Sequence, residues 1–246
     1  MLRQIHAEQI KLTTLRSTWW TTATTLTVSL ASALLIAANV NGTETDAVGI
    51  ITILLLVAAQ LAHIAVMVMA VIVSTSEYRF GQIRMTFAAT PRRWQVLLAK
   101  AVVTVVAAFV IGTATAWLCV LLAKPLLPAE WHLDLAADGA QRVVWGLALF
   151  FAASALLALS VGAILRNSPA AITILALLSL AVEKTLLAVP KTRDFAQYLP
   201  FNAGARITQP IDPDTQLSPW GGFTLFCVYA VVLFVVAVIM TEARDA

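Results

Sequence analysis

Six apolar stretches, each close to the roughly 20 residues a helix needs to cross a bilayer core, govern what this chain can become. They cover residues 19–40, 47–74, 94–123, 143–165, 170–188 and 223–241. Lipid offers no hydrogen-bond partners, so the backbone must close its bonds within each stretch, and each is expected to be a helix. The strict alternation that a membrane barrel requires is absent. The second and third stretches are long enough to tilt or to project beyond the bilayer. Of the 246 residues, 60% are hydrophobic and 12% charged, about half the charge of an ordinary soluble domain. The expectation is an all-α polytopic protein, residues 1–246 forming one membrane domain with no soluble domain and no internal repeat. Nothing like a cleavage site follows the first stretch, so it reads as a retained span rather than a signal peptide.

The basic residues set the orientation. If the N-terminus lies inside, Arg3, Lys11, Arg16, Arg79, Arg84, Arg92, Arg93, Lys100, Arg166 and Arg244 fall on inner segments. Lys124, Arg142, Lys184, Lys191, Arg193 and Arg206 fall outside. Four arginines lie between stretches two and three, and no Lys or Arg lies between one and two. Both termini are therefore expected in the cytoplasm. The net charge of +3 comes from residues scattered at the ends of apolar runs, which is membrane topology and not a nucleic-acid surface. Cys119 and Cys227 sit inside apolar runs and read as small buried hydrophobes. No cluster of metal-ligating residues accompanies them.

Residues 1–18 carry Leu2, Ile5, Leu12 and Leu15 on one side of a helix, with Arg3, Lys11 and Arg16 within reach of headgroups and Trp19 and Trp20 marking an interface. They are expected to form a helix lying along the inner membrane surface. Two outer segments, 124–142 and 190–222, exceed a simple turn. In the second, Tyr198, Leu199 and Phe201 suit a re-entrant hairpin, and an exposed loop fits equally. Pro210 and Pro213 forbid a long helix there.

Polar groups inside the spans are candidates for a pathway. Gln60 and His63 stand at i and i+3 in span two, and threonines of span one, Thr25 among them, offer His63 a hydrogen-bond partner. These three residues are the candidate substrate-pathway set. A plain interhelical hydrogen bond explains them as well. Glu183 and Lys184 are adjacent on span five and point about 100° apart. Glu183 is expected to face an outer mouth or to pair with Arg142 or Lys191, and Lys184 to snorkel.

The polar island EYRFGQIRMTFAATPRR, residues 77–93, separates spans two and three. Phe80, Ile83 and Phe87 fall on one helical face, Arg79 and Arg84 flank it, and Pro91 stops the helix. Anchoring in anionic headgroups accounts for Arg92 and Arg93. It accounts less well for Glu77, for the apolar face, and for Gly81, which costs a helix about 1 kcal/mol relative to alanine. Docking of a second protein accounts for those.

The pattern Glu77, Arg79, Gly81, Ile83, Arg84, Thr86, Pro91, Arg92, Arg93 and Lys100 resembles the cytoplasmic loop of ABC-2 type transporter permeases, the membrane subunits of mostly bacterial exporters. The six-span layout is similar too. The resemblance implies a multi-pass protein of the bacterial inner membrane that pairs with a second permease chain, a copy or a paralogue, above two soluble ATPase subunits. Residues 77–91 would form the coupling helix. Tyr78, Phe80, Ile83 and Phe87 would make its apolar contact, Arg79 and Arg84 would pair with acids or headgroups, and Glu77 would open the helix. ATP and Mg would sit on the partner. This chain has no phosphate-binding loop and no protease or hydrolase motif, so it is expected to hold no cofactor and to be no enzyme itself. Other readings are an immunity or sensor subunit of an ABC system, an ATP-independent carrier, which would call for inverted repeats, or an intramembrane enzyme with His63 as base. The cargo is not legible.

Overall fold

The computed structural model describes residues 2–39, 47–79, 93–127, 135, 139–211 and 216–243. Every regular element among them is helical. Six helices are long and apolar enough to cross a membrane, and the chain is a multi-pass membrane protein. They are span one (Arg16–Asn39), span two (Val48–Tyr78), span three (Arg93–Leu126), span four (Ala140–Leu165), span five (Ser168–Ala188) and span six (Pro219–Ala243). These spans agree with the expected apolar stretches and extend most of them by a turn or less. A separate helix, Leu2–Thr14, precedes span one. The even number of crossings puts the starts of spans one, three and five and the ends of two, four and six on one side. We call that side the terminal face.

Span four is the axis of the bundle. Of its most apolar stretch 72% is buried, against 22% for spans one and five and 17% for span six. It packs against spans two, three and six, and span one lies outside against two and three. Small residues set the spacing. A Cβ on Gly112 of span three would stand 2.7 Å from the Ala148 Cα of span four, so the two backbones touch there as small residues permit in membrane bundles.

Spans four and five are joined by a two-residue turn. Arg166 closes span four in the left-handed region (φ 52°) and its N–H reaches the Gly162 carbonyl. Asn167 then caps span five by accepting from the Ala170 N–H at 3.0 Å, satisfying one orphan donor of the new helix. Spans two and five each contain one π-helical segment, Ala58–Ala62 and Leu177–Val182. Such insertions shift every later side chain around the helix axis and recur at functional sites.

Part of the 190–222 region, residues 200–208, is described inside the bundle. These residues form two helical pieces, Pro200–Ala205 and Arg206–Thr208, with Phe201, Asn202, Ala203, Ala205 and Ile207 buried. Pro200 opens the first piece, where its missing N–H costs nothing. Gly204 admits the rings of Phe226 and Phe150, and Gly222 and Gly146 meet the carbonyls of Ala203 and Ile207 at less than 3 Å from an added Cβ. This plug therefore wedges between spans four and six on the side opposite the terminal face.

Gly112→Val drives a branched side chain into a backbone. Overpacking of this kind costs about 1–3 kcal/mol, and we expect the thermal midpoint of the purified protein in detergent to fall by several degrees. An unchanged midpoint would refute the close approach of spans three and four.

Candidate functional site

The strongest concentration of charge lies under the N-terminal helix. Glu8 and Lys11 come from that helix, Glu77 from the last turn of span two and Lys100 from the second turn of span three. Lys100 Nζ donates to Glu8 Oε2 and Glu77 Oε1, both at 2.9 Å. Lys11 Nζ donates to Glu8 Oε1 at 2.8 Å and to Glu77 Oε1 at 2.7 Å. Glu8, Glu77 and Lys100 are buried, whereas the Lys11 side chain is 46% exposed. Two carboxylates and two ammoniums balance, which is the condition for keeping such groups out of water. Burial alone pulls the pKa of Lys11 down. Its hydrogen bonds to Glu77 and Glu8 and the charges of those carboxylates outweigh that and hold it above the ordinary lysine value. The stabilisation it contributes is complete below the unfolded pKa, about 10.4, and is lost as pH rises through the higher folded value.

Glu77 does not open a new helix, as expected from the resemblance. It lies in the helix His63–Arg79, two residues before the last described position. Buried as it is, the Glu77 carboxylate depends on the two lysines. Tyr78 is also engaged within the chain. It packs on Val96 of span three, the Arg166 guanidinium lies 4.8 Å above its ring, and its hydroxyl is directed at Thr241 of span six. Thr75 and Ser168 share a hydrogen bond of 2.6 Å beside it, and the Trp94 N–H donates to Glu242 at 2.9 Å. The foot of span two is thus the junction of the terminal face. Arg79 ends the described helix, and Phe80, Gly81, Ile83, Arg84, Phe87 and Pro91 lie outside the described residues.

Of the candidate pathway residues, Thr25 and His63 are buried and Gln60 is half-buried. His63 is buried, with the rings of Phe150 and Phe201 at 5.1 and 5.9 Å. Among the described residues no side chain hydrogen-bonds its nitrogens, and the carbonyls of Ala59 and Gln60 in the π segment are the acceptors beside it. The hydroxyls of Thr21, Thr24 and Thr25 bond back to carbonyls of span one instead. Gln60 is half-buried one turn before His63.

Glu183 faces inward, not to an outer mouth, and pairs with neither Arg142 nor Lys191. Wholly buried, it accepts the N–H groups of Phe201 at 3.2 Å and Asn202 at 2.7 Å, capping the plug helix from span five. Lys184 donates to Asn202 Oδ1 at 3.0 Å, and Asn202 Nδ2 donates to the carbonyls of Glu183 and Ala196. Arg142 instead holds the Ile207 carbonyl at 2.7 Å. The two π segments are each followed at once by a buried polar residue, His63 or Glu183, and both residues meet the plug. Sequence reading missed Glu8 and the role of Lys100. The available signal was an ionisable residue seven positions inside a span and an acid three residues before Lys11.

The chain matches no protein-family model and no curated protein. The fold and the site define a class, a multi-pass helical membrane protein whose terminal face is tied by a neutral four-charge cluster.

Lys100→Met leaves two buried carboxylates with one half-exposed lysine, and about 3–5 kcal/mol of stability should be lost. Lys11→Met removes an exposed partner and should cost nearer 1 kcal/mol. Unfolding in a single detergent measures both, and equal losses would contradict the burial of Lys100. Glu183→Leu strips the plug of its cap and should cost about 1–3 kcal/mol, while Lys191→Ala leaves the midpoint unmoved.

Proposed function

We propose that this chain is the membrane-spanning subunit of an ATP-driven exporter of the ABC-2 type, working as a pair of permease chains above a separate ATPase. One observation carries the reading. Glu77 and Lys100, the first and last residues of the pattern that resembles the ABC-2 loop, bond each other at 2.9 Å and share Glu8 and Lys11. The feet of spans two and three, which flank residues 80–92 in the sequence, share one ion-paired base. A force applied to residues 80–91 reaches spans two and three and the N-terminal helix together.

In this reading ATP binding and hydrolysis on the partner supply the energy, and this chain converts displacement of its loop into movement of its spans. Phe80, Ile83 and Phe87 enter an apolar cleft on the ATPase, with Arg79 and Arg84 at its rim. Glu77 and Tyr78 serve inside the membrane domain and not at the docking surface, as the burial of Glu77 and the contacts of Tyr78 with Val96 and Arg166 favour. The plug between spans four and six closes the far side of the domain, and its release opens the pathway between two permease chains. The proposed setting is a bacterial inner membrane with both termini in the cytoplasm, consistent with the basic residues of the loop. The immunity or sensor reading uses the same docking and differs in what is moved.

Gly81→Arg is the test. A charge forced into an apolar cleft should lower the ATPase stimulation and transport of the reconstituted complex at least about tenfold, with the thermal midpoint of the isolated membrane subunit unchanged. Full stimulation by the variant, or failure of the wild-type chain to co-purify with any nucleotide-hydrolysing subunit, would sink the reading.

A further inference from the structure

One amide at membrane depth has no partner within the chain. Gln60 stands in the π segment Ala58–Ala62 of span two and is half-buried. Among the described residues nothing hydrogen-bonds its side chain, and its polar atoms are not sealed inside the bundle as the ring nitrogens of His63 are. Leu56, one turn earlier, is 51% exposed, and the adjoining Leu61 is 48% exposed. The amide therefore opens on an apolar outer surface of the bundle.

That surface is in hydrocarbon. Span two runs from Val48 to Tyr78, and at 1.5 Å per residue Gln60 stands about 18 Å from one end and about 27 Å from the other. A core of roughly 30 Å includes it wherever the core falls along the span. Lipid tails supply no hydrogen bond at that depth. A side-chain amide carries two donors and an oxygen with two lone pairs, so it is complementary to itself. Two such amides face to face exchange a pair of bonds, each donating to the oxygen of the other. A two-fold axis between identical chains sets a residue opposite its own copy.

We propose that two copies of this chain associate through the exposed face of span two, with the two Gln60 amides bonded to each other across the axis and Leu56 and Leu61 forming an apolar rim around them. Polar side chains hydrogen-bonding across helices are a recurrent contact in membrane bundles, and a single amide in an apolar seam fixes register as well as affinity. A second copy satisfies the amide at all times, whereas a passing cargo leaves it unmet whenever the site is empty. The inference rests on the pairing of chains in the proposed function, and not on the ATPase, and it names the face that pairs.

Two measurements on the full chain test it. In membranes of the expressing cells, with Cys119 and Cys227 replaced by alanine, Gln60→Cys should cross-link to its copy under mild oxidation. Val106→Cys, at a 57% exposed position of span three, should not. In lipid vesicles, energy transfer between labelled copies over a range of protein-to-lipid ratios gives the association constant. Gln60→Leu should weaken it about tenfold, the order expected from losing two interhelical hydrogen bonds. The thermal midpoint of the dilute monomer in detergent should not fall, because the amide has no partner inside its own chain. A Gln60→Cys cross-link no stronger than the Val106→Cys control, or a leucine variant that associates as the wild type does, would overturn the assigned face while leaving the pairing of chains intact. A wild type that never associates would overturn the face and the paired reading together. Transport lost in Gln60→Leu with association unchanged would make the amide a cargo contact and overturn the proposal too.

Discussion

The terminal face is organised by the mutual neutralisation of Glu8, Lys11, Glu77 and Lys100. Each of the three buried members would be costly alone at that depth. Together they oblige three separate segments, the N-terminal helix and the feet of spans two and three, to stay in one arrangement. Apolar contact between helices in lipid is weakly selective, because the tails outside are as apolar as the side chains inside. Charge pairing supplies the selectivity that packing lacks. Tyr78 and Arg166 extend the junction to span four, and Trp94 with Glu242 extends it to span six.

The opposite face uses a different solution to the same difficulty. The plug brings backbone N–H groups into the bundle, and Glu183 satisfies two of them from span five. Lys184 holds Asn202, and Asn202 in turn bonds two carbonyls. Irregular backbone at membrane depth is tolerated only where protein groups satisfy it, and these three residues do so. The π segments at 58–62 and 177–182 rotate His63 and Glu183 into contact with the plug, which a continuous α-helix does not specify. The two faces are thus held by different chemistry, ion pairs at one and a carboxylate cap at the other.

Much of the scaffold was legible before any coordinates. Apolar length named the six helices, since a bilayer leaves the backbone no alternative. The polar and ionisable residues were legible as exceptions but not in their partners. His63 meets Phe150 and Phe201 and not the threonines of span one, because those hydroxyls bond their own helix. Glu183, expected at an outer mouth or paired with Arg142 or Lys191, lies inside because the helix Pro200–Ala205 brings the Phe201 and Asn202 N–H groups to it. Residues 80–91, on which the proposed coupling turns, belong to the part of the chain outside the described residues.

Hydrophobic length and spacing are local properties, so the sequence by itself determined the number of crossings and their approximate ends. Charge partners are a property of distance in three dimensions. Glu8 and Lys100 are 92 positions apart, and Glu183 and Asn202 are separated by a break in the helix. No periodicity along a single helix encodes such meetings. Only the tertiary structure, by deciding which helices lie side by side and how far a π segment turns each one, made a cluster at one face and a cap at the other.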